Sequence, residues 1–303
     1  MASMRDIKRR RSSIQSTQQI TKAMKLVSTV KLQRARAGAE RSKSYFQCMY
    51  DTMNSILARV GAVEHKYLKS GKTGKKAVIL VTSNRGLAGG YNNNVAKLIT
   101  RHETWKPEDL LIYAIGNKGR EILHRSGYEI KEELHEVIEA PTYADAMLLT
   151  ERLLQSFEAG EISEIYLAYT EFKNTVSLIP TLLKLLPVDR TEDEYGAGVL
   201  GEQDKKSSLT VEKTEDYSAP MNFEPADEEA LDLIIPKYIA CLIYGGLVEA
   251  LASENGARMQ AMDNATNNAA ELIDDLELLY NRARQGSITQ ELTEIIAGAN
   301  AIQ

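Results

Sequence analysis

All seven prolines of this 303-residue chain lie between Pro107 and Pro236, so residues 1–106 and 237–303 lack the strongest helix breaker. That distribution permits a long helix at each end and demands interruptions between them. In the first segment Tyr45, Met49, Met53, Ile56 and Val60 step by three or four, the spacing of a narrow helical stripe. Upstream, Ile20, Met24, Val27 and Lys31 keep the same phase but mix in charge. Near the other end Ile235, Tyr238, Leu242, Met259, Met262, Ile273, Leu276 and Tyr280 recur similarly, with small residues such as Gly245, Gly246 and Ala250 among them. A helix of about 60 residues extends ~90 Å, farther than a globular core can cover, so each end requires a long partner. The economical solution pairs the two ends as an antiparallel coiled coil, with the middle returning the chain to its base. Pro236 is expected to mark a kink or a last loose turn before the regular part.

The middle has another period. KKAVILV (75–81), DLLIYAI (109–115) and SEIYLAYT (163–170) are short apolar, β-branched and aromatic runs. They alternate with helical stretches near 93–102, 117–125 and 142–158, the βαβ pattern of a mainly parallel sheet. The predicted class is therefore α/β: a long antiparallel coiled coil plus a Rossmann-like domain. The segments are residues 1–60, 75–190, an acidic turn-rich excursion at 191–225, and 226–303.

Charge is unevenly distributed. Residues 1–43 carry twelve Lys/Arg against Asp6 and Glu40, a net +10, while the whole chain has a formal charge of −5. Such an arm attracts nucleic acid, anionic lipid or an acidic protein surface. No aromatic residue precedes Tyr45 to stack bases, which disfavours nucleic acid. No run approaches the roughly 20 apolar residues of a membrane span, and MASMRDIKRRR lacks the apolar core of a secretory signal. A soluble chain of a cytoplasm-like compartment is expected.

Catalytic and cofactor patterns are incomplete. Gly71-Lys72-Thr73 resembles the end of a phosphate loop, but Lys66 stands where the first glycine belongs, and a strand follows it. The turn from Ser83 to Asn92 lies where a dinucleotide fold places its pyrophosphate, yet Gly86, Gly89 and Gly90 do not make GxGxxG. No acidic residue closes the second strand to hold a ribose. The four histidines share no spacing that suggests a triad or a metal site, and are expected at the surface or at caps. Cys48 and Cys241 form no CxxC or zinc pattern and are expected as half-buried reduced thiols. No catalytic group, cofactor or metal is predicted. The uncharged, small and apolar tip after Glu294 is expected to sit inside a partner.

The stretches Thr21-Lys22-Ala23-Met24-Lys25-Leu26-Val27 and Tyr280 to Ile295 closely resemble the terminal motifs of F-type ATP synthase gamma subunits. The likeness continues through Ser253 to Met262 and the Arg85-Gly86-Leu87 turn, and so covers essentially the whole chain. Asn84 and Ala88 depart from the family pattern, and the paired cysteines of the light-regulated chloroplast form are absent. The resemblance implies a non-catalytic rotor, its coiled coil passing up a hexamer of alpha and beta subunits. The foot domain would meet an epsilon subunit and the membrane c-ring, making the chain peripheral to the cell membrane on its cytoplasmic side. It also implies that Arg258, Gln285 and Thr289 contact beta-subunit loops, and that Arg9, Arg10, Met24 and Lys25 face the same partners.

Overall fold

The computed structural model describes residues 4–59, 65–68, 74–188 and 227–302. Two long helices, α1 (Met4–Arg59) and α5 (Asp227–Ile302), flank β1 (Lys75–Val81), α2 (Tyr91–Thr100), β2 (Leu110–Ile115), α3 (Asn117–Arg125), β3 (Ile130–Leu134), α4 (Tyr143–Glu158), β4 (Ile162–Phe172) and β5 (Leu178–Leu186). The chain divides into two compact units, one made of residues 1–28 with 258–303 and the other of residues 29–257. Val60, the Gly71-Lys72-Thr73 motif and all of the acidic excursion at 191–225 lie outside the described residues.

In the larger unit the sheet order is β3-β2-β1-β4-β5. The first four strands are parallel and β5 returns antiparallel to β4. Burial explains the hydrophobic runs: every residue of β2, and Ala77 to Val81 of β1, is buried because helices cover both faces. On one face α2 and α3 supply Val95, Ile99 and Leu123, closed by Trp105. The opposite face receives Met53 and Ile56 of α1, Leu149, Leu153 and Phe157 of α4, and a run of α5 from Leu231 to Ala250.

The sequence misses β3 and β5. β3 reads IKEEL, whose alternating charges suit a half-exposed edge strand. β5 contains Pro180, a residue tolerated in a sheet at an edge, and much of it is only half-buried. Pro236 lies inside α5, whose helix begins nine residues earlier at Asp227, so it does not open the regular part. α5 also contains an 18-residue window whose mean hydropathy, without an unbroken apolar run, would suit a membrane span. Since 67% of that window is buried inside the structure, its apolarity is used as core.

Two glycines permit this packing. At Gly116 φ is +97°, and a Cβ would stand 2.1 Å from the Thr82 carbonyl oxygen, so the exit of β2 excludes any side chain. At Gly246 a Cβ would meet Leu167 Cδ2 at 2.7 Å, which lets α5 lie directly on β4.

The glycine-rich turn after β1 closes on itself. The Ser83 backbone N–H donates to Asn92 Oδ1 at 2.9 Å, and the Asn84 side chain donates to the His135 carbonyl at 2.7 Å while accepting from the Asn117 N–H at 3.2 Å. Tyr91 Oη donates to the Ala250 carbonyl at 3.2 Å, fastening the turn to α5.

His65 takes a capping position instead of a surface one, its Nδ1 accepting the Tyr67 N–H at 3.3 Å. It is buried, with Nε2 3.2 Å from Asp232 of α5. Lys66 beside it bridges Glu158 at 2.8 Å and Asp232 at 3.0 Å, tying the chain after α1 to α4 and α5. The cysteines split between the two extremes, Cys48 exposed and Cys241 buried.

Candidate partner-contact surface

The smaller unit contains all seven residues proposed from sequence, so its pairing determines what they present. Cross-helix contacts run in opposite senses: Arg11 meets Glu277 at 3.3 Å, Thr21 meets Thr266 at 2.8 Å, and Lys25 meets Asp263 at 2.5 Å. Numbers rise along α1 as they fall along α5, which makes the pair antiparallel. The less exposed positions include the series 7, 11, 14, 18, 21, 25, 28 on α1 and 262, 266, 269, 273, 276, 280, 283, 287 on α5. Steps of three and four in strict alternation are the heptad seam of a coiled coil.

This corrects the upstream stripe. Ile20 and Val27, assigned from sequence to a packing stripe, are 60% and 57% exposed, whereas Thr21 and Ser28 are buried. The seam runs one residue away from the apolar residues because its polar members are satisfied: Thr21 by Thr266, and Ser28 by the Met24 carbonyl at 2.8 Å. On α5 the expected Met262 and Leu276 are buried, and Ile273 and Tyr280 are half-buried on the seam. Seam contacts that include charge add specificity of register more than energy, since partly exposed ion pairs are worth about 0–1 kcal/mol each.

With the seam placed, the candidate residues separate. Arg9 and Arg10 are exposed on α1, Arg9 only 3.7 Å from Asp6 of its own helix. Gln285 and Thr289 are exposed one turn apart on α5, and Thr289 Oγ1 donates to the Gln285 carbonyl at 2.9 Å. Met24 and Arg258 are half-buried. Lys25 is drawn toward Asp263, so its charge is met within the unit. The structure thus brings Lys25 onto the seam and leaves Arg9, Arg10, Gln285 and Thr289 facing outward. Sequence reasoning passed over Thr21 and Thr266, whose heptad spacing was readable once polar residues were admitted to the seam, and Asp263 beside it.

Large apolar side chains also face outward here. Leu26 is 62% exposed on α1, while Leu292, Ile295 and Ile296 near the end of α5 are similarly open. Among the described residues no group of His, Cys, Asp and Glu could hold a metal ion. Exposed cations and exposed aliphatic side chains on paired helices can bind another protein.

The fold, a mainly parallel α/β sheet between long terminal helices, matches a chain of the Euglena gracilis mitochondrial ATP synthase, solved as OSCP, F1 and c-ring, with TM-score 0.67 and 19% identity, over 99% of this chain and 94% of that one. The ATP synthase family model matches residues 3–302. The ATP synthase gamma chain of Lachnoclostridium phytofermentans is 61% identical over 302 residues, spanning the full length of both chains. A gamma chain from Acetobacterium woodii described as sodium ion specific is 38% identical over 299 residues, 99% of this chain and 98% of that one. This chain belongs to the ATP synthase gamma chain family.

Proposed function

We propose that the chain is the central-stalk rotor of an F-type ATP synthase, coupling ion-driven rotation of a membrane c-ring to conformational change in an alpha/beta catalytic hexamer. The observation that carries this reading is full-length similarity to gamma chains, joined to a paired-helix unit whose outward faces are basic and aliphatic. In this reading residues 1–60 and 226–303 form the shaft and residues 75–190 the foot, which meets an epsilon subunit and the c-ring. Residues 191–225 form a separate excursion. The chain performs no catalysis: the hexamer carries the nucleotide chemistry, and one shaft offers different surfaces to its equivalent subunits, biasing each toward a different state. A turning shaft is served by weak contacts, and exposed ion pairs of about 0–1 kcal/mol suit that requirement.

Arg9, Arg10, Met24, Lys25, Arg258, Gln285 and Thr289 are the proposed hexamer contacts. The complex would hold the chain at the cytoplasmic face of the cell membrane without its entering the bilayer. Purifying the tagged chain from its native membranes tests the reading: alpha, beta and epsilon subunits and the c-ring should co-elute. Retention on DNA in a salt-dependent manner, or tight nucleotide binding by the isolated chain, would replace it with a nucleic-acid binder or a cofactor-binding enzyme.

A further inference from the structure

Within the larger unit, α5 lies on β4 along a face of mostly small side chains. Gly246 sits against Leu167 and Tyr169, Ser253 Oγ donates to the Thr170 carbonyl at 3.0 Å, and Gly256 sits against Phe172. Glu249 belongs to the same helical face, three residues after Gly246 and four before Ser253. A carboxyl group therefore stands in a layer otherwise built for close apolar approach. Its Oε2 is buried and without a hydrogen-bond partner. The Phe172 backbone N–H donates to the carboxyl, and the second acid, Glu171, is itself buried on the strand opposite. The other ionisable groups around it are Tyr169 on β4, Tyr91 of α2 bonded to the Ala250 carbonyl, and Arg36 of α1, 5.9 Å from the Phe172 ring centre.

We propose that Glu249 is a proton-operated clasp between α5 and β4: the neutral carboxyl seals the contact, and loss of its proton to solvent loosens α5 from the strand. A carboxylate there has one backbone donor to compensate its lost hydration and faces a like charge across the layer. Burial pushes the Glu249 carboxyl well above the ordinary carboxylate range, Glu171 adds to the effect, and the Phe172 N–H opposes it. A group raised in the folded state holds its full stabilisation below the unfolded carboxylate value and loses it as pH rises through the folded value. This inference does not depend on the proposed rotor role.

The test is hydrogen exchange of the α5 amides between Tyr244 and Gly256 in the full-length chain, corrected for the intrinsic pH dependence of exchange. Their opening constant should rise by up to about tenfold per pH unit above the ordinary carboxylate range, the slope of one released proton. Glu249→Gln should abolish that slope, and Glu171→Gln should make it level off at lower pH. Infrared spectra at neutral pH should contain a protonated-carboxyl band that Glu249→Gln removes. If the Glu249→Gln variant fails to fold, the Glu171→Gln comparison and the band in the unaltered chain still decide. An unaltered slope in Glu249→Gln, an unmoved one in Glu171→Gln, or no protonated-carboxyl band would overturn the clasp.

Discussion

Thr21 of α1 and Thr266 of α5 place their hydroxyl oxygens 2.8 Å apart in the seam of the paired helices. Each also reaches a carbonyl of its own helix, Thr21 that of Gln18 at 3.0 Å and Thr266 that of Met262 at 2.7 Å. With one hydrogen per hydroxyl, one threonine donates across the seam while the other bonds its own helix. A polar pair thereby fixes the register that apolar side chains fix in an ordinary coiled coil.

Replacing one of these threonines with valine should cost about 0.5–1.5 kcal/mol, the net worth of a typical hydrogen bond. Replacing both removes the two polar groups together, and the double variant should be less destabilised than the two single variants added. Urea denaturation in a double-mutant cycle measures that coupling. Strict additivity would mean that the hydroxyls do not interact.

The thiols differ in reactivity for a physical reason. Burial pushes Cys241 up to about 12, so almost no thiolate exists there near neutral pH, whereas Cys48 is exposed. A maleimide should label the native chain once, at Cys48, and label both thiols in denaturant. Cys48→Ser should leave the native chain unlabelled. Mass spectrometry of the intact chain provides the count, and native labelling of Cys241 would show that α5 opens there.

Lys66 gives the larger unit an acid-sensitive tie. Hydrogen bonding to Lys66, then to Tyr67, holds the Glu158 carboxyl below the usual carboxylate range. A lowered folded-state value contributes stability above the unfolded carboxylate value and loses it as pH falls through the folded one. The Glu158 side chain is 43% exposed, so solvent screening limits the contribution to about 1 kcal/mol or less. Lys66→Met should lower the denaturation midpoint slightly at neutral pH and flatten part of the acid limb. An unchanged acid limb would assign that limb to other carboxylates.

Much of this architecture was legible in particular residues. KKAVILV and DLLIYAI announced central strands because both their faces are buried, and the proline-free ends announced α1 and α5. β3 was hidden by its charges and β5 by Pro180, both consequences of position at an edge. The seam of the paired helices was misphased because Ile20 and Val27 are apolar for solvent or a partner, while Thr21 and Ser28 are buried. Periodicity in hydrophobicity cannot separate a face that packs within the chain from one reserved for another. Glu249 was invisible for a related reason, since nothing in the local sequence tells an exposed helical glutamate from one pressed against a strand.

Met24 offers a direct test of the outward surface of the paired helices. It is half-buried between exposed Ala23 and seam-facing Lys25, in a stretch that also carries Lys22. Lys25 is already neutralised by Asp263, so a further cation at position 24 would have no dedicated acid on the seam. A long lysine side chain can carry its charge outward along the helix while its stem covers the surface that Met24 covers now. Met24→Lys should therefore leave the pairing of α1 and α5 largely intact and add a charge to the surface proposed to meet the hexamer. Against an acidic partner loop the new charge-assisted contact would be worth ~1 kcal/mol or more where it is shielded from water, and it would deepen one rotational well relative to the others. The assembled complex should form and hydrolyse ATP while moving ions less effectively per ATP. The ratio of ion pumping to hydrolysis in membranes carrying the variant is the measurement. An unchanged ratio would show that position 24 does not meet the hexamer in a charge-sensitive way, and loss of the assembled complex would show that its role is in the seam.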